Sequence, residues 1–306
     1  MAGAAAARSG ESYGDQGARL MRDWSVEATL PKADDIEALA EQAPPGTPVY
    51  LSALPKNHGV HMAEDAALVR AAGLEPVPHL AARNYASAGE LEATLARLRA
   101  AADVRQALVI AGDRDDPAGP FDSALSLIAS GLLEGSGIEA IGVSGYPDGH
   151  PKIHADKLEA ALAAKVEVAA KAGLALHVVT QFSFDAPSIA DWLASTGAAY
   201  PDLPVRIGLA GPAGAATLLK FALRCGVKAS ARGLRRNFGA VGGLVGGAFG
   251  EATPDRLVDS LAAMPLDAWE SRAALHFFSF GGIGRTARWA SEKAARDAQG
   301  RGPGND

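Results

Sequence analysis

A chain of 306 residues, 48% of them hydrophobic, carries enough apolar material for one large core or two smaller ones. A formal net charge of −6 argues against nucleic acid as a partner, and no apolar run is long enough to span a bilayer. The one cysteine, Cys225, excludes an internal disulfide and fits a reducing compartment.

Residues 1–22 are small, polar and charged without a hydrophobic stretch, so they read as a loose tail rather than a signal peptide, in a cytoplasmic protein. From there eight short apolar runs follow, at 24–28, 49–53, 75–81, 106–111, 139–144, 174–181, 205–210 and 273–280. Between them lie Ala/Leu/Glu-rich segments with helical spacing, such as 88–102 and 156–172. Eight β/α units predict a single (β/α)8 TIM barrel, an α/β fold typically built from about 250 residues. The barrel is expected over 23–296, with a second loose tail at 297–306. A doubly wound open sheet is the alternative, disfavoured because no Gly-x-Gly-x-x-Gly follows the first strand.

One segment does not fit a plain unit. Residues 231–250 place Arg232, Arg235 and Arg236 ahead of a Gly-rich run, a Gly/Arg-rich insertion before strand 8. Helix there would cost about 1 kcal/mol per Gly relative to Ala. The arginines are either a solvated helix end or a site for carboxylate or phosphate groups.

In a barrel of this kind chemistry collects at the C-terminal ends of the strands. Those ends carry Glu27, Ser52, His79, Asp113 after Ala111-Gly112, Tyr146 with His150, and Gln181. Tyr146 and His150 sit on a turn stiffened by Pro147 and Pro151, although Pro-Asp-Gly is also an ordinary turn signal. The set has no Lys placed for a Schiff base and no Ser/His/Asp arrangement. His79, Asp113, His150 and Glu27 are conceivable metal ligands, but no His-x-His or His-Glu-x-x-His spacing supports a metal, and none is expected. Cys225 reads as packing at a helix end. Glu27 lies in an apolar strand, where burial would raise its pKa and keep it protonated as a general acid needs. A carboxylate paired with a basic group is the structural alternative.

The segments Ser-Val-Glu27-Ala-Thr-Leu-Pro, Pro-His79-Leu, Ala-Gly112-Asp113, Gly-Tyr146-Pro-Asp-Gly-His150-Pro and Thr180-Gln181-Phe-Ser-Phe-Asp185 follow one another as in the methylenetetrahydrofolate reductases. Ile207-Gly-Leu-Ala-Gly-Pro, Leu219-Lys-Phe-Ala-Leu-Arg-Cys-Gly226 and His276-Phe-Phe extend the resemblance over roughly 24–290. It implies a barrel holding FAD, which passes hydride from NAD(P)H to 5,10-methylenetetrahydrofolate to give 5-methyltetrahydrofolate, in methionine and one-carbon metabolism. By the same resemblance Glu27 is the acid that helps open the folate ring, with Asp113 the second catalytic carboxylate. Gln181, Asp113 and Phe184 would contact folate, and Ser52, His79, Gly112, Asp113, Tyr146, His150 and Lys165 would contact flavin.

The chain also departs from the family. Ala111 stands where an Arg of the flavin surface is usual, Gly281-Gly282 replaces an Asn-Arg pair, and Phe121 replaces a phenol. Direct hydride transfer from nicotinamide without flavin, known among relatives, therefore stays open. So do catabolic oxidation of 5-methyltetrahydrofolate and a non-enzymatic folate-binding subunit. The choice of NADH or NADPH is not legible, nor is the oligomeric state, which leaves a homo-oligomer open.

Overall fold

The computed structural model describes residues 13–53, 60–227, 251–264, 269 and 272–299. Strands β1 (Ser25–Ala28), β2 (Pro48–Leu51), β3 (Glu75–Ala81), β4 (Gln106–Ile110), β5 (Ala140–Gly145), β6 (Ala175–Thr180), β7 (Val205–Ala210) and β8 (Ala273–Phe278) pair in parallel. β8 returns to β1, with Ser25 opposite His276 and Glu27 opposite Phe278, and closes the barrel. The eight sequence runs are thus the eight barrel strands, with ends displaced by one or two residues.

Helices alternate with the strands: α1 (Tyr13–Leu20), α2 (Ala33–Ala40), α3 (Val60–Ala71), α4 (Ala88–Ala102), α5 (Ala124–Ile128), α6 (Ala155–Lys171), α7 (Ala186–Ala199), α8 (Ala215–Cys225), α9 (Asp255–Ala262) and α10 (Ile283–Ala298). Local chemistry sets several of their starts. Ser87 accepts from the Glu90 N–H at the head of α4, and Asp185 accepts from Ser188 N–H at the head of α7. A two-residue antiparallel pair, Ala213–Gly214 with Glu251–Ala252, adjoins β7. The Gly/Arg-rich insertion at 231–250 and residues 300–306 lie outside the described residues.

Strand alternation divides the core in two. Outward residues such as Val26, Val49, Ile141, Ile207 and Phe277 join the large cluster beneath the helices. Inside the barrel a separate small cluster holds Tyr50, Val77, Leu108 and Val179. Polar groups share the interior: Ser25, His79 and His276 are buried there, where branched aliphatic side chains usually fill such barrels. Gly208 permits a close backbone approach, since a Cβ there would stand 2.2 Å from the Thr180 carbonyl oxygen. Its N–H donates to Thr180 Oγ1 at 2.8 Å.

The expected loose tail through residue 22 is different in the structure. Tyr13–Leu20 is helical, packs against α9 and α10, and buries Leu20 and Met21. Its few apolar residues suffice for one docked face. Under this corner lies a buried ion cluster: Lys293 Nζ bonds Asp297 at 2.5 and 2.7 Å and Asp259 Oδ1 at 2.8 Å. Removing one member leaves buried charge unpaired, which costs far more than the cluster gains by existing. Lys293→Met is therefore expected to cost about 3–5 kcal/mol in urea unfolding. The double variant Lys293→Met/Asp297→Leu should recover much of that loss; an unchanged midpoint in the single variant would contradict it.

Candidate active site

The C-terminal end of β1 delivers Glu27 into the barrel mouth, its side chain 18% exposed. Ser52, just past β2, donates to Glu27 Oε1 at 2.7 Å. Thr29 Oγ1 lies 2.8 Å from Ser52 Oγ, so the ordered chain of donors runs Thr29 to Ser52 to Glu27. The other carboxyl oxygen, Oε2, faces two imidazoles: His276 Nε2 at 3.8 Å and His79 Nε2 at 3.9 Å. Both separations exceed a hydrogen bond. Both Nε2 atoms are buried with no hydrogen-bond partner.

Below this layer Tyr50 organises the interior. Its ring meets His79, His177 and His276 edge-on, with centroids 6.3, 6.3 and 4.7 Å away. Its hydroxyl lies 2.8 Å from His177 Nε2. Burial pushes the phenol up to about 12, so Tyr50 stays neutral. Burial, with Arg206 and His276 adding to it, pushes His177 down to about 3, so this imidazole is neutral too and shares one hydrogen bond with the phenol.

Glu27 corrects the expectation drawn from its apolar strand. Burial does act to raise its pKa, but His276, His79 and the Ser52 hydroxyl outweigh it, and the carboxyl is held below its ordinary value. His79 and His276 are lowered chiefly by burial, with Glu27 pulling the other way. At neutral pH the group is a carboxylate among neutral imidazoles. The sequence singles out His79 as a flavin contact and His276 within a motif, but not their convergence on Glu27, because they come from β3 and β8.

The other expected site residues distribute around the same mouth. Asp113 is exposed on the turn after β4, and Gly112 before it has φ +91°, with Ala81 Cβ 3.1 Å from where a side chain would begin. Tyr146 and His150 meet edge to face at 5.1 Å. Ser183 Oγ donates to Asp148 Oδ1 at 3.1 Å and ties that turn to the loop after β6. There Gln181 accepts from the Phe182 N–H at 3.1 Å, while Phe184 is buried against Phe182. Phe121, in the place of the usual phenol, is buried in the core. His79 points at Glu27, inside the barrel. Lys165 is half-buried on α6, its ammonium lowered by burial alone. Sequence reasoning did not single out Phe221 and Phe280, which stack at 4.1 Å and 10° and continue into Phe182 and Phe278. Cys225, at the end of α8, is half-buried and its thiol is pushed up by burial and then by the Glu27 and Asp113 charges. Among the described residues no three His, Cys, Asp or Glu side chains are grouped to hold a metal ion.

The arrangement fits a flavin dinucleotide on three counts: an aromatic edge at Tyr146 and His150, bare backbone at Gly112, and a half-buried cation at Lys165 with no carboxylate pairing among the described residues. Of α6 only Ala169 is fully buried, so much of that helix has surface left to cover.

Fold and site define a parallel barrel enzyme with an ionisable carboxyl–imidazole group at its catalytic end. Residues 33–231 match the family described as Methylenetetrahydrofolate reductase, and the chain belongs to that family. Membership places it among the oxidoreductases of folate metabolism. Among solved structures it is similar to dihydropteroate synthase from Thermus thermophilus in complex with 6HMPPP, at 14% identity and a TM-score of 0.48, covering 90% of this chain and 92% of that one. A second structure of that enzyme from the same organism, FolP, has 14% identity and a TM-score of 0.45, covering 88% and 91%.

The buried imidazoles make stability depend on pH. A histidine with a lowered folded-state pKa takes up its proton first in the unfolded chain, so stability is full above about pH 6.5 and falls as pH drops. For His177 that loss continues down toward about 3. Unfolding free energy should decline from pH 7 to pH 4 by up to about 1.4 kcal/mol per pH unit for each such histidine. His177→Gln, which keeps a partner for Tyr50, should flatten the decline in urea titrations; an unaltered slope would contradict neutral burial.

Proposed function

We propose that the protein interconverts 5,10-methylenetetrahydrofolate and 5-methyltetrahydrofolate by hydride transfer, with NAD(P)H as the reductant. The observation that carries this reading is Glu27, fixed at the mouth by Ser52 and facing two buried imidazoles. The methylene carbon accepts hydride only after N10 takes a proton and the five-membered ring opens to an iminium at N5. Glu27 sits where a proton can be handed to a bound substrate, in a site whose low exposure keeps that proton from bulk water. Its carboxylate form is the stable one in the ligand-free protein, so covering its remaining exposed surface with substrate raises its proton affinity at the step that needs it.

Asp113 is exposed at the end of β4, suited to accept charge-assisted hydrogen bonds from pterin N–H groups. Gln181 offers its amide N–H donors from the end of β6 while its carbonyl accepts from Phe182. Tyr146, His150, Gly112 and Lys165 would hold FAD, which when bound supplies a two-electron carrier between nicotinamide and folate. Ala111 offers no cation, and the turn beyond it carries Asp113, Asp115 and Asp116 against Arg114. That balance favours weak, reversible flavin binding and supports direct transfer from nicotinamide as the second reading.

Glu27→Gln is expected to keep the fold and folate binding and to lower turnover about 10²–10⁴-fold, the weight of general acid catalysis. Near-wild-type turnover would return Glu27 to a structural role. Denaturing the purified protein should release substoichiometric flavin, and added FAD should stimulate hydride transfer. If no flavin is released and FAD changes neither spectrum nor rate while reduced nicotinamide still drives the reaction, hydride passes directly.

A further inference from the structure

We infer that Glu27, His79 and His276 form one proton-sharing group, in which His276, aligned by Ser25, is the residue that positions the proton. The inference deepens the proposed function and rests on it for the proton's destination, but not for the grouping itself.

The geometry is convergent. Two imidazole Nε2 atoms, both buried and without a partner, are aimed at the same oxygen, Glu27 Oε2, from 3.8 and 3.9 Å. A shift of about 1 Å in either ring brings it into hydrogen-bond range. His276 has only its other nitrogen anchored: Ser25 Oγ lies 3.0 Å from Nδ1. The one Ser25 hydroxyl proton has two acceptors, Nδ1 at 3.0 Å and the Leu275 carbonyl at 3.5 Å. Donation to the nearer one leaves the neutral imidazole's proton on Nε2, directed at the carboxylate. The opposite tautomer would set two lone pairs against each other in a buried site. That repulsion favours Nε2–H, a tautomer that Ser25 supports by donating to Nδ1, and its place opposite His276 in the β1–β8 register makes that support part of barrel closure.

The groups facing the trio are few in kind. Ser52 donates to Glu27 Oε1 from the β2 side. From β2, β6 and β7 come Tyr50, His177 and Arg206, of which the first two are neutral and the last disfavours a second positive charge. Asp113 and the Cys225 thiol add to the charged and titratable surroundings among the described residues. One added proton can thus reside on Glu27 Oε2 or make one of the imidazoles cationic; on His276 it goes to Nδ1, with the Ser25 hydroxyl turning to the Leu275 carbonyl. When Glu27 gives its proton to N10 of the substrate, His276 Nε2–H, if charged, restores it and returns to neutral; solvent reloads the imidazole once product leaves.

The test is a titration of the full-length, ligand-free protein by NMR. The carboxyl carbon of Glu27 is followed with ¹³C-labelled glutamate and assigned by its loss in Glu27→Gln; the imidazole nitrogens are followed with ¹⁵N-labelled histidine. In the wild type, the Glu27 signal should show two inflections, its own and one shared with the histidines. In Glu27→Gln the midpoints of His79 and His276 should both fall, because the anion that favours their charged forms is gone. In His276→Gln the Glu27 midpoint should rise by about one pH unit with the shared inflection reduced. Ser25→Ala should move it the same way by less. A single Glu27 inflection at an ordinary carboxylate position, or histidine midpoints unmoved by Glu27→Gln, overturns the inference even if a His276 variant fails to fold. A shared titration in a protein that turns over no folate leaves the inference standing and removes the proposed reaction.

Discussion

The structure depends on one electrostatic constraint: a carboxylate held at the mouth of a closed barrel by neutral groups. Glu27 has lost most of its water, and among the described residues no Lys or Arg pairs with it. What stabilises it is a hydroxyl at 2.7 Å and two imidazoles just beyond hydrogen-bond range. An Arg or Lys in their place would lock the carboxylate in its charged form. Imidazoles hold it while leaving the proton exchangeable, as the proposed donation and recovery of a proton would require.

The barrel serves that constraint. A purely aliphatic interior would pack well but leave Glu27 under burial alone, protonated in the resting state. Here Tyr50 separates His79, His276 and His177 and bonds the last of them, so three imidazoles share a small space without three charges. Their neutrality comes from desolvation, and its consequence is a native state that acid destabilises. Closure of β8 against β1 brings Ser25 to His276 and sets Phe278 beside Glu27, so the site exists only when the barrel is closed. Phe182, Phe221, Phe278 and Phe280 pack as one aromatic cluster, with Phe182 edge-on to Phe278 and Phe280 and Phe221 stacked on Phe280.

Most of the fold was legible because parallel strands buried on both faces read as short apolar runs, and helices between them keep a different period. Glu27, Ser52, His79 and Asp113 were legible for the same reason: each interrupts or ends such a run with a polar group. Helix α1 was not, since its sparse apolar residues make sense only against α9 and α10. Nor was the sign of the Glu27 shift. An apolar strand says that a carboxyl is buried, but its partners lie elsewhere, with Ser25 and His276 251 positions apart. The role of Ser25 shows a similar limit: inward alternation puts it below Glu27, and only strand closure says what it meets.

The central claim, that a carboxyl–imidazole group ionised at rest supplies the proton for folate reduction, is tested most directly by a single-turnover pH profile. Reduction of 5,10-methylenetetrahydrofolate by saturating reduced nicotinamide, with FAD present, would be followed from pH 6 to pH 9 in the wild type and in Glu27→Gln. The account predicts a wild-type rate that falls about tenfold per pH unit over the upper part of that range, as one required proton becomes scarce. It predicts a low rate in the variant that lacks this titration. A wild-type rate independent of pH, or an identical slope in Glu27→Gln, would contradict it.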